Sequence, residues 1–158
     1  MKHYSRLKIV NGDLLAMDVE AIVNPANTSL LGGGGVDRAI HQAAGVELQE
    51  FCRTLGGCKT GDAVHTPGFK LKQKHIIHTV GPVYDEKNQN SRVLLENCYK
   101  NSLEIASRLG IRTIAFPEIS TGAFRYPKNE ARMISEQVCL QFLETNSHPE
   151  MIFLVRYE

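Results

Sequence analysis

The sequence contains no tryptophan and no apolar run that approaches the roughly 18 residues needed to span a bilayer. The first residues, MKHYSRLKIV, combine basic and polar side chains, and no apolar stretch of signal-peptide length follows them. We therefore expect a cytoplasmic chain without a membrane-spanning segment.

An excess of charge of one sign is also lacking. The 18 lysine and arginine residues nearly balance the 17 acidic residues, which leaves a net charge of +1, and no long run of like charges occurs. A broad basic face that would attract a nucleic acid duplex is not expected from this balance. Nucleic acid is therefore not an expected partner unless a specific pocket recognises it.

The few cysteines and histidines do not form metal-ligand patterns. No CxxC pair occurs among the four cysteines, and the six histidines are scattered along the chain. The pattern predicts neither a zinc site nor a disulfide framework. We expect reduced and mostly buried thiols, no metal and no cofactor.

The sequence does contain β-rich apolar runs that alternate with stretches of helical period. With 158 residues, 42% of them hydrophobic, the chain is long enough for one globular domain, expected to cover residues 1–158. The alternation is typical of an α/β layered domain. The predicted strands are Leu7 to Val10, Ala21 to Asn24, His75 to Val80, Thr113 to Phe116 and Ile152 to Val155, with Ala63 to Thr66 as a weaker candidate.

Apolar residues at helical spacing predict the helices between these strands. One stripe consists of Leu94, Cys98, Ile105 and Leu109, and a second of Ala131, Ile134, Val138 and Phe142. Two further helices are predicted at Asp37 to Ala44 and at Val46 to Thr54, the second closed by two glycines.

Residues 24–45, NPANTSLLGGGGVDRAIHQAAG, run from a predicted strand end through an asparagine-containing turn and four glycines into a helix. The glycines let a ligand approach the backbone, and their N–H groups can surround an oxyanion together with those of the helix start. This order favours a phosphate or diphosphate, although a glycine run is also typical of a plain flexible turn. Neither GxGxxG nor GxxxxGK[ST] is present, which argues against a nucleoside triphosphatase.

A second candidate loop, PEISTGAFRYP at residues 117–127, follows the strand Thr113 to Phe116 and leads into another helix. Ligands of open α/β sheets bind beyond the carboxyl ends of strands, so the two loops face one crevice if their strands are parallel neighbours. Alternatively, the STG segment is an ordinary turn and Phe124 belongs to the core.

Several motifs together resemble the macrodomain family, most closely the MacroD-type ADP-ribosyl hydrolases. They are AIVNPAN at 21–27, GGGGVDRAIH at 32–41, CKTG at 58–61, IHTVGP at 77–82 and AFPEISTG at 115–122. The resemblance covers nearly the whole chain. It implies a three-layer α/β/α sandwich with a mixed central sheet and a cleft for ADP-ribose.

The resemblance also implies roles for individual residues. Asp13 and the backbone of Leu14 would bind adenine, and Tyr157 would line the same end. Asn27 would bond a hydroxyl of the distal ribose, and Asp37 would orient or activate the attacking water. Backbone amides for the diphosphate would come from Gly34, Gly35 and Val36 on one side and from Ser120, Thr121, Gly122 and Ala123 on the other, with Phe124 covering the distal ribose.

Asp37 can also be considered without the resemblance. It lies at a predicted helix start, where the helix dipole favours its ionised form and makes it a poor proton acceptor, while a neighbouring diphosphate would have the opposite effect. We expect Asp37 to become a competent base only with substrate bound. The alternative is that Asp37 simply caps its helix.

Two residues depart from the family pattern. Pro25 stands where alanine is more common, and it holds Asn24 extended. Arg125 stands where glycine is common, so it needs an unusual backbone angle or reaches over the cleft.

The function implied by the resemblance is hydrolysis of ester-linked ADP-ribose derivatives, either mono-ADP-ribose on protein glutamate or aspartate or O-acetyl-ADP-ribose. The expected partners are ADP-ribose, its esters and ADP-ribosylated proteins, and the chain is expected to be a monomer. A noncatalytic ADP-ribose reader is the alternative, and the presence of both Asn27 and Asp37 favours the enzyme. A module that binds single-stranded RNA ends in the cleft is a third reading, which the near-zero net charge supports poorly.

Overall fold

The structure is a computed structural model that describes residues 5–157. Within this range the strands are β1 (Leu7–Asn11), β2 (Ala21–Ala26), β3 (Ala63–Pro67), β4 (His75–Val80), β5 (Thr113–Phe116) and β6 (Met151–Arg156). The α-helices are α1 (Gly35–Ala44), α2 (Val46–Leu55), α3 (Asn90–Arg108) and α4 (Lys128–Thr145). All predicted strands, including the weaker candidate at Ala63, are confirmed within one or two residues.

The strands form one sheet in the order β1-β6-β5-β2-β4-β3. All neighbouring pairs are parallel except β3 and β4, which are antiparallel at one edge. The sheet is therefore mixed, as predicted.

Helices cover both faces of the sheet. Successive strand residues point to opposite faces, so alternate residues of one strand pack against different helices. Val23, Ile77 and Phe116 pack with buried residues of α3 and α4 in one core cluster. Their chain neighbours Ile22 and Ile76 pack with α1 and α2 in a second cluster. Two helix layers on one sheet confirm the three-layer α/β/α sandwich.

One predicted helical position is wrong. Leu109 was assigned to the buried stripe of α3, but α3 ends at Arg108 and the Leu109 side chain is exposed. The helix does not continue, because Gly110 has a left-handed φ of +67°. The apolar spacing of the sequence therefore extends one residue beyond the end of α3. Helix α1 also begins at Gly35 rather than at Asp37.

Strands β2 and β5 are parallel neighbours, with Ala21 opposite Ile114. Their carboxyl ends therefore lie at the same edge of the sheet, and the two candidate loops follow these ends. The condition for a shared crevice is met, and this edge is where a ligand site is expected in an α/β sheet.

The cysteines are free, and Cys52, Cys98 and Cys139 are buried while Cys58 is half-buried, as predicted. In the described part of the chain, no helix is both long and apolar enough to cross a membrane.

Candidate functional site

A cleft of about 640 Å³ opens at the carboxyl ends of β2 and β5. This volume is typical of small-molecule sites, which occupy roughly 300–1,000 Å³. One wall is the segment from Gly33 to Asp37, and the facing wall is the segment from Pro117 to Phe124. The structure therefore places the two candidate loops across one space.

Both walls offer backbone N–H groups. Within residues 5–157, no N–H from Gly34 to Asp37 and none from Ser120 to Phe124 donates to another backbone group. Residues 35–37 form the first turn of α1, whose N–H groups have no acceptor inside the helix. The predicted residues Gly34, Gly35, Val36, Ser120, Thr121, Gly122 and Ala123 all line the cleft. Such an arrangement is suited to an anion.

Phe124 also lines the cleft and is only half-buried. The alternative that it belongs to the core is therefore wrong. Its carbonyl accepts a hydrogen bond of 2.8 Å from the Tyr84 N–H, which ties the loop to the segment after β4. The aromatic face is available to a flat ligand group.

Asn27 is held firmly in the turn after β2. Its Nδ2 donates to the Gly32 carbonyl at 2.8 Å, and its Oδ1 accepts from the Ser29 hydroxyl at 2.7 Å and from the Leu30 N–H at 3.2 Å. One Nδ2 hydrogen is left over, because a primary amide has two. Asn27 is thus oriented before any ligand arrives.

Asp37 approaches Asn27 at Gly33. A Cβ atom on Gly33 would lie 3.2 Å from Asn27 Nδ2 and 3.2 Å from Asp37 Oδ2. The two residues to which the resemblance assigns catalysis therefore converge on one small space in the cleft wall. A side chain at position 33 would crowd both groups.

The two oxygens of Asp37 have different surroundings. Oδ1 accepts from Asn24 Nδ2 at 2.9 Å and lies 3.4 Å from His41 Nε2, while Oδ2 lies beside Gly33. Oδ1 therefore holds the carboxylate in place, and Oδ2 is the oxygen on the cleft side.

Burial raises the pKa of Asp37 above its ordinary value, and the Asn24 hydrogen bond and the charge of His41 offset only part of this effect. This corrects the expectation that the helix dipole leaves Asp37 a poor proton acceptor. The dipole argument considered only the local helix, whereas α1 packs the carboxyl against the sheet, where it is 4% exposed. The direction of the pKa shift is therefore opposite to the one that the helix position alone predicted.

Asn24 and His41 were not among the predicted site residues. Asn24 is the only polar side chain that β2 buries, and His41 follows Asp37 by four residues, the spacing that places side chains together on a helix. Both signals are visible in the sequence. The spacing pairs His41 with Asp37 within α1, whereas Asn24 meets Asp37 only when α1 is packed on β2.

At the far end of the cleft, Leu14, Val155 and Tyr157 line the wall. Asp13 lies beside them without lining the cleft, and its carboxylate accepts from the Leu15 N–H at 3.0 Å as the cap of a short 3₁₀ turn at Leu14–Ala16. The binding of adenine by Asp13 stays a prediction. In it, the second carboxylate oxygen of Asp13 is the acceptor for adenine.

Of the two departures from the family pattern, Pro25 lies within β2 opposite Thr79 and lines the cleft. Arg125 is exposed and has a φ of +64°. The unusual backbone angle expected for Arg125 is therefore present. Ser120 in the same loop also has a positive φ, of +68°.

Replacing Arg125 with glycine should raise the melting temperature, because a left-handed backbone costs a side-chain-bearing residue about 1 kcal/mol that glycine does not incur. Turnover of a small ester substrate should stay within about threefold, since Arg125 does not line the cleft. Thermal melting and initial rates check this, with Arg125→Asn as control because asparagine tolerates the same φ. A large loss of turnover in both variants would show that the guanidinium contacts the substrate.

The histidines do not assemble a metal site within residues 5–157, where no group of three or more potential metal ligands occurs. His65 and His75 form a pair, with 2.9 Å between His65 Nε2 and His75 Nδ1. His78 is completely buried near Asn24.

Comparison with known proteins adds the following matches. Residues 23–135 match a family model described as the Macro domain. A Salmonella newport protein named O-acetyl-ADP-ribose deacetylase is 45% identical over 158 residues, covering 98% of this chain and 88% of that protein. The Oceanobacillus iheyensis macrodomain solved with ADP is 42% identical with a TM-score of 0.92, covering 96% of this chain and 83% of the other. The Trypanosoma brucei macrodomain in complex with ADP-ribose is 37% identical with a TM-score of 0.88, covering 97% and 64%.

Proposed function

We propose, from the premise that the chain belongs to the macro domain family, that it binds ADP-ribose in the cleft and hydrolyses acyl esters of its distal ribose. The acyl group is acetyl in O-acetyl-ADP-ribose or a glutamate or aspartate side chain of a modified protein. The name of the Salmonella relative supports the first substrate. In the second, the acyl carbon belongs to a protein side chain instead of an acetyl group.

The observation that carries this proposal is the convergence of Asp37 Oδ2 and Asn27 Nδ2 at Gly33, between two loops with unpaired N–H groups. The loop amides hold the diphosphate from both sides. That placement brings the distal ribose to the end of the cleft where Asn27, Asp37 and Phe124 lie. The unused Nδ2 hydrogen of Asn27 bonds a ribose hydroxyl.

In this arrangement Asp37 acts as general base toward a water molecule. Oδ2 accepts a proton as the water oxygen attacks the acyl carbon, and a tetrahedral intermediate forms. The bond between the acyl carbon and the ribose oxygen then breaks, and the ribose oxygen takes up the proton. The products are the free carboxylic acid and ADP-ribose, and Asp37 is ionised again.

The test measures the release of ADP-ribose from two substrates in separate assays. One is O-acetyl-ADP-ribose, and the other is a protein that carries mono-ADP-ribose on glutamate. ADP-ribose affinity is measured in parallel by calorimetry. Release from either substrate supports the hydrolase and identifies the preferred ester. Binding without release from either would favour the noncatalytic reader, and absence of binding would contradict both functions.

The pH dependence of turnover should reveal the buried carboxyl. Asp37 acts in its ionised form, and burial raises its pKa. Turnover at saturating substrate should therefore fall as the pH is lowered, and the midpoint of this fall should lie above about 4, the ordinary pKa of aspartate. Replacing His41 with asparagine removes a charge that lowers the pKa of Asp37, so the fall should move to higher pH. Turnover that stays constant down to pH ~4 would contradict the role of Asp37 as base.

A further inference from the structure

A chain of buried hydrogen bonds leads away from Asp37 through the sheet. Asn24 Nδ2 lies 2.9 Å from Asp37 Oδ1 and 3.0 Å from His78 Nδ1. His78 Nε2 lies 2.9 Å from Thr66 Oγ1, which in turn lies 3.1 Å from the Pro67 carbonyl. Asn24, His78 and Thr66 are all 0% exposed.

Three adjacent strands align these side chains. Asn24 of β2 is directly opposite His78 of β4, and Thr66 of β3 is paired with Ile76, two residues before His78. All three point to the face covered by α1 and α2, because they alternate with residues of the opposite core. The register of the sheet therefore creates the chain of contacts, and neither His78 nor Thr66 lines the cleft.

The far end of this chain determines its direction. A carbonyl oxygen can only accept, so the single hydroxyl hydrogen of Thr66 is donated to Pro67. Thr66 Oγ1 then accepts from His78 Nε2–H, which leaves His78 Nδ1 as an acceptor for Asn24. The two Nδ2 hydrogens of Asn24 go to His78 and to Asp37.

His78 is neutral in this arrangement, since burial lowers its pKa to about 3. A neutral imidazole has one donor nitrogen and one acceptor nitrogen, so its tautomer decides which way Asn24 faces. The other tautomer would present an N–H to the amide NH₂ of Asn24. Rotating the amide to avoid that contact would place Asn24 Oδ1 against Asp37 Oδ1, two acceptors in contact.

Besides Asp37 and His78, no group in the described residues forms a hydrogen bond with the side-chain amide of Asn24. Its Oδ1 is buried and has no hydrogen-bond donor among residues 5–157. The orientation therefore depends on the two acceptors on the Nδ2 side, Asp37 and His78. Of these, only His78 belongs to the sheet, where β4 pairs with both β2 and β3.

We propose that His78 and Thr66 are positioning residues for hydrolysis, which fix the amide of Asn24 so that it holds Asp37 Oδ1 and leaves Oδ2 for the reacting water. This inference rests on the proposed function. His78 and Thr66 do not touch the substrate and act through Asn24.

A matched pair of variants at His78 tests the proposal. Asparagine keeps an acceptor near the position of Nδ1, and leucine has the same branching without one. His78→Leu should lower kcat about tenfold or more with unchanged KM and unchanged ADP-ribose affinity, whereas His78→Asn should retain most of kcat. Melting temperatures of both variants separate this effect from unfolding. Equal kcat in the two variants, or a loss confined to stability, would overturn the proposal.

A second pair at Thr66 tests the tautomer directly. Nitrogen-15 NMR should show His78 protonated at Nε2 in the wild-type protein and in Thr66→Ser, which keeps the hydroxyl. Thr66→Val removes the acceptor for Nε2–H and should shift His78 toward protonation at Nδ1, with a parallel fall in kcat.

The tautomer measurement also separates failure of this inference from failure of the proposed function. If the wild-type protein releases no ADP-ribose from either ester, the hydrolase proposal fails, while Nε2 protonation still supports the fixed orientation of Asn24. Protonation at Nδ1 in the wild-type protein would overturn the positioning proposal whatever the activity.

Discussion

Replacing Asp37 with asparagine should lower turnover at saturating substrate by about 10²–10⁴-fold, the usual contribution of a general base. Asparagine has nearly the same shape, and its Oδ1 can still accept from Asn24, so the cleft should keep its form. Affinity for ADP-ribose should stay within about threefold, because loop amides rather than Asp37 hold the diphosphate. Single-turnover release of ADP-ribose and calorimetric titration measure the two quantities separately.

The same substitution should not destabilise the protein at neutral pH. The pKa of Asp37 is raised in the folded state, so folding favours its neutral form, and the ionised form costs stability above that pKa. A neutral asparagine removes this cost, and the melting temperature should be equal or higher. Unchanged turnover, or a loss of ADP-ribose binding that accounts for the whole loss of turnover, would contradict the assigned role.

Replacing Gly81 with alanine should weaken ADP-ribose binding about tenfold or more and destabilise the fold by roughly 1–3 kcal/mol, as expected for overpacking. A Cβ on Gly81 would overlap the hydroxyl of Ser120 and lie 2.6 Å from Cγ2 of the fully buried Ile119. The methyl group would push the loop after β5 out of position, and this loop forms one wall of the cleft. Calorimetry and thermal melting check the two effects.

Two controls accompany this variant. Gly122→Ala lies in the displaced loop, but its Cβ meets nothing within 4 Å, so its melting temperature should match the wild-type value. Combining Gly81→Ala with Ser120→Gly removes the overlapping hydroxyl and suits the positive φ of residue 120, so part of the lost stability should return. Wild-type stability and affinity in Gly81→Ala alone would show that the loop does not pack against Gly81.

Much of the fold follows from local sequence patterns. The alternation of apolar runs and helical stripes predicted every strand found within residues 5–157 and the helices α3 and α4, because strand and helix periods depend on which face of each element is buried. Helices α1 and α2 were predicted from the glycines that open the first and close the second. Leu109 shows the limit of this reasoning. An apolar residue at the right spacing beyond α3 has the same pattern as one inside it, and only the positive φ of Gly110 separates the two.

The candidate site was predicted in part by its glycines and hydroxyl residues and in part by the family resemblance. The residues assigned to the diphosphate all line the cleft, since their positions follow directly from strand ends. The buried contacts of Asp37 with Asn24 and of Asn24 with His78 were missed. Asn24 lies 13 positions before Asp37, and His78 lies 54 positions beyond Asn24, separations at which local periodicity carries no information.

The sequence by itself determined the α/β class, the layered order of elements and the two loops that can surround a phosphate, because these depend on local conformation and on which side chains are apolar. The tertiary structure alone decided that β2 and β5 are neighbours, that Asp37 is buried with a raised pKa, and that Asn24 is held between Asp37 and His78. Desolvation and hydrogen-bond direction depend on groups from different strands and helices. Such groups meet only when the sheet register and the helix packing bring them together.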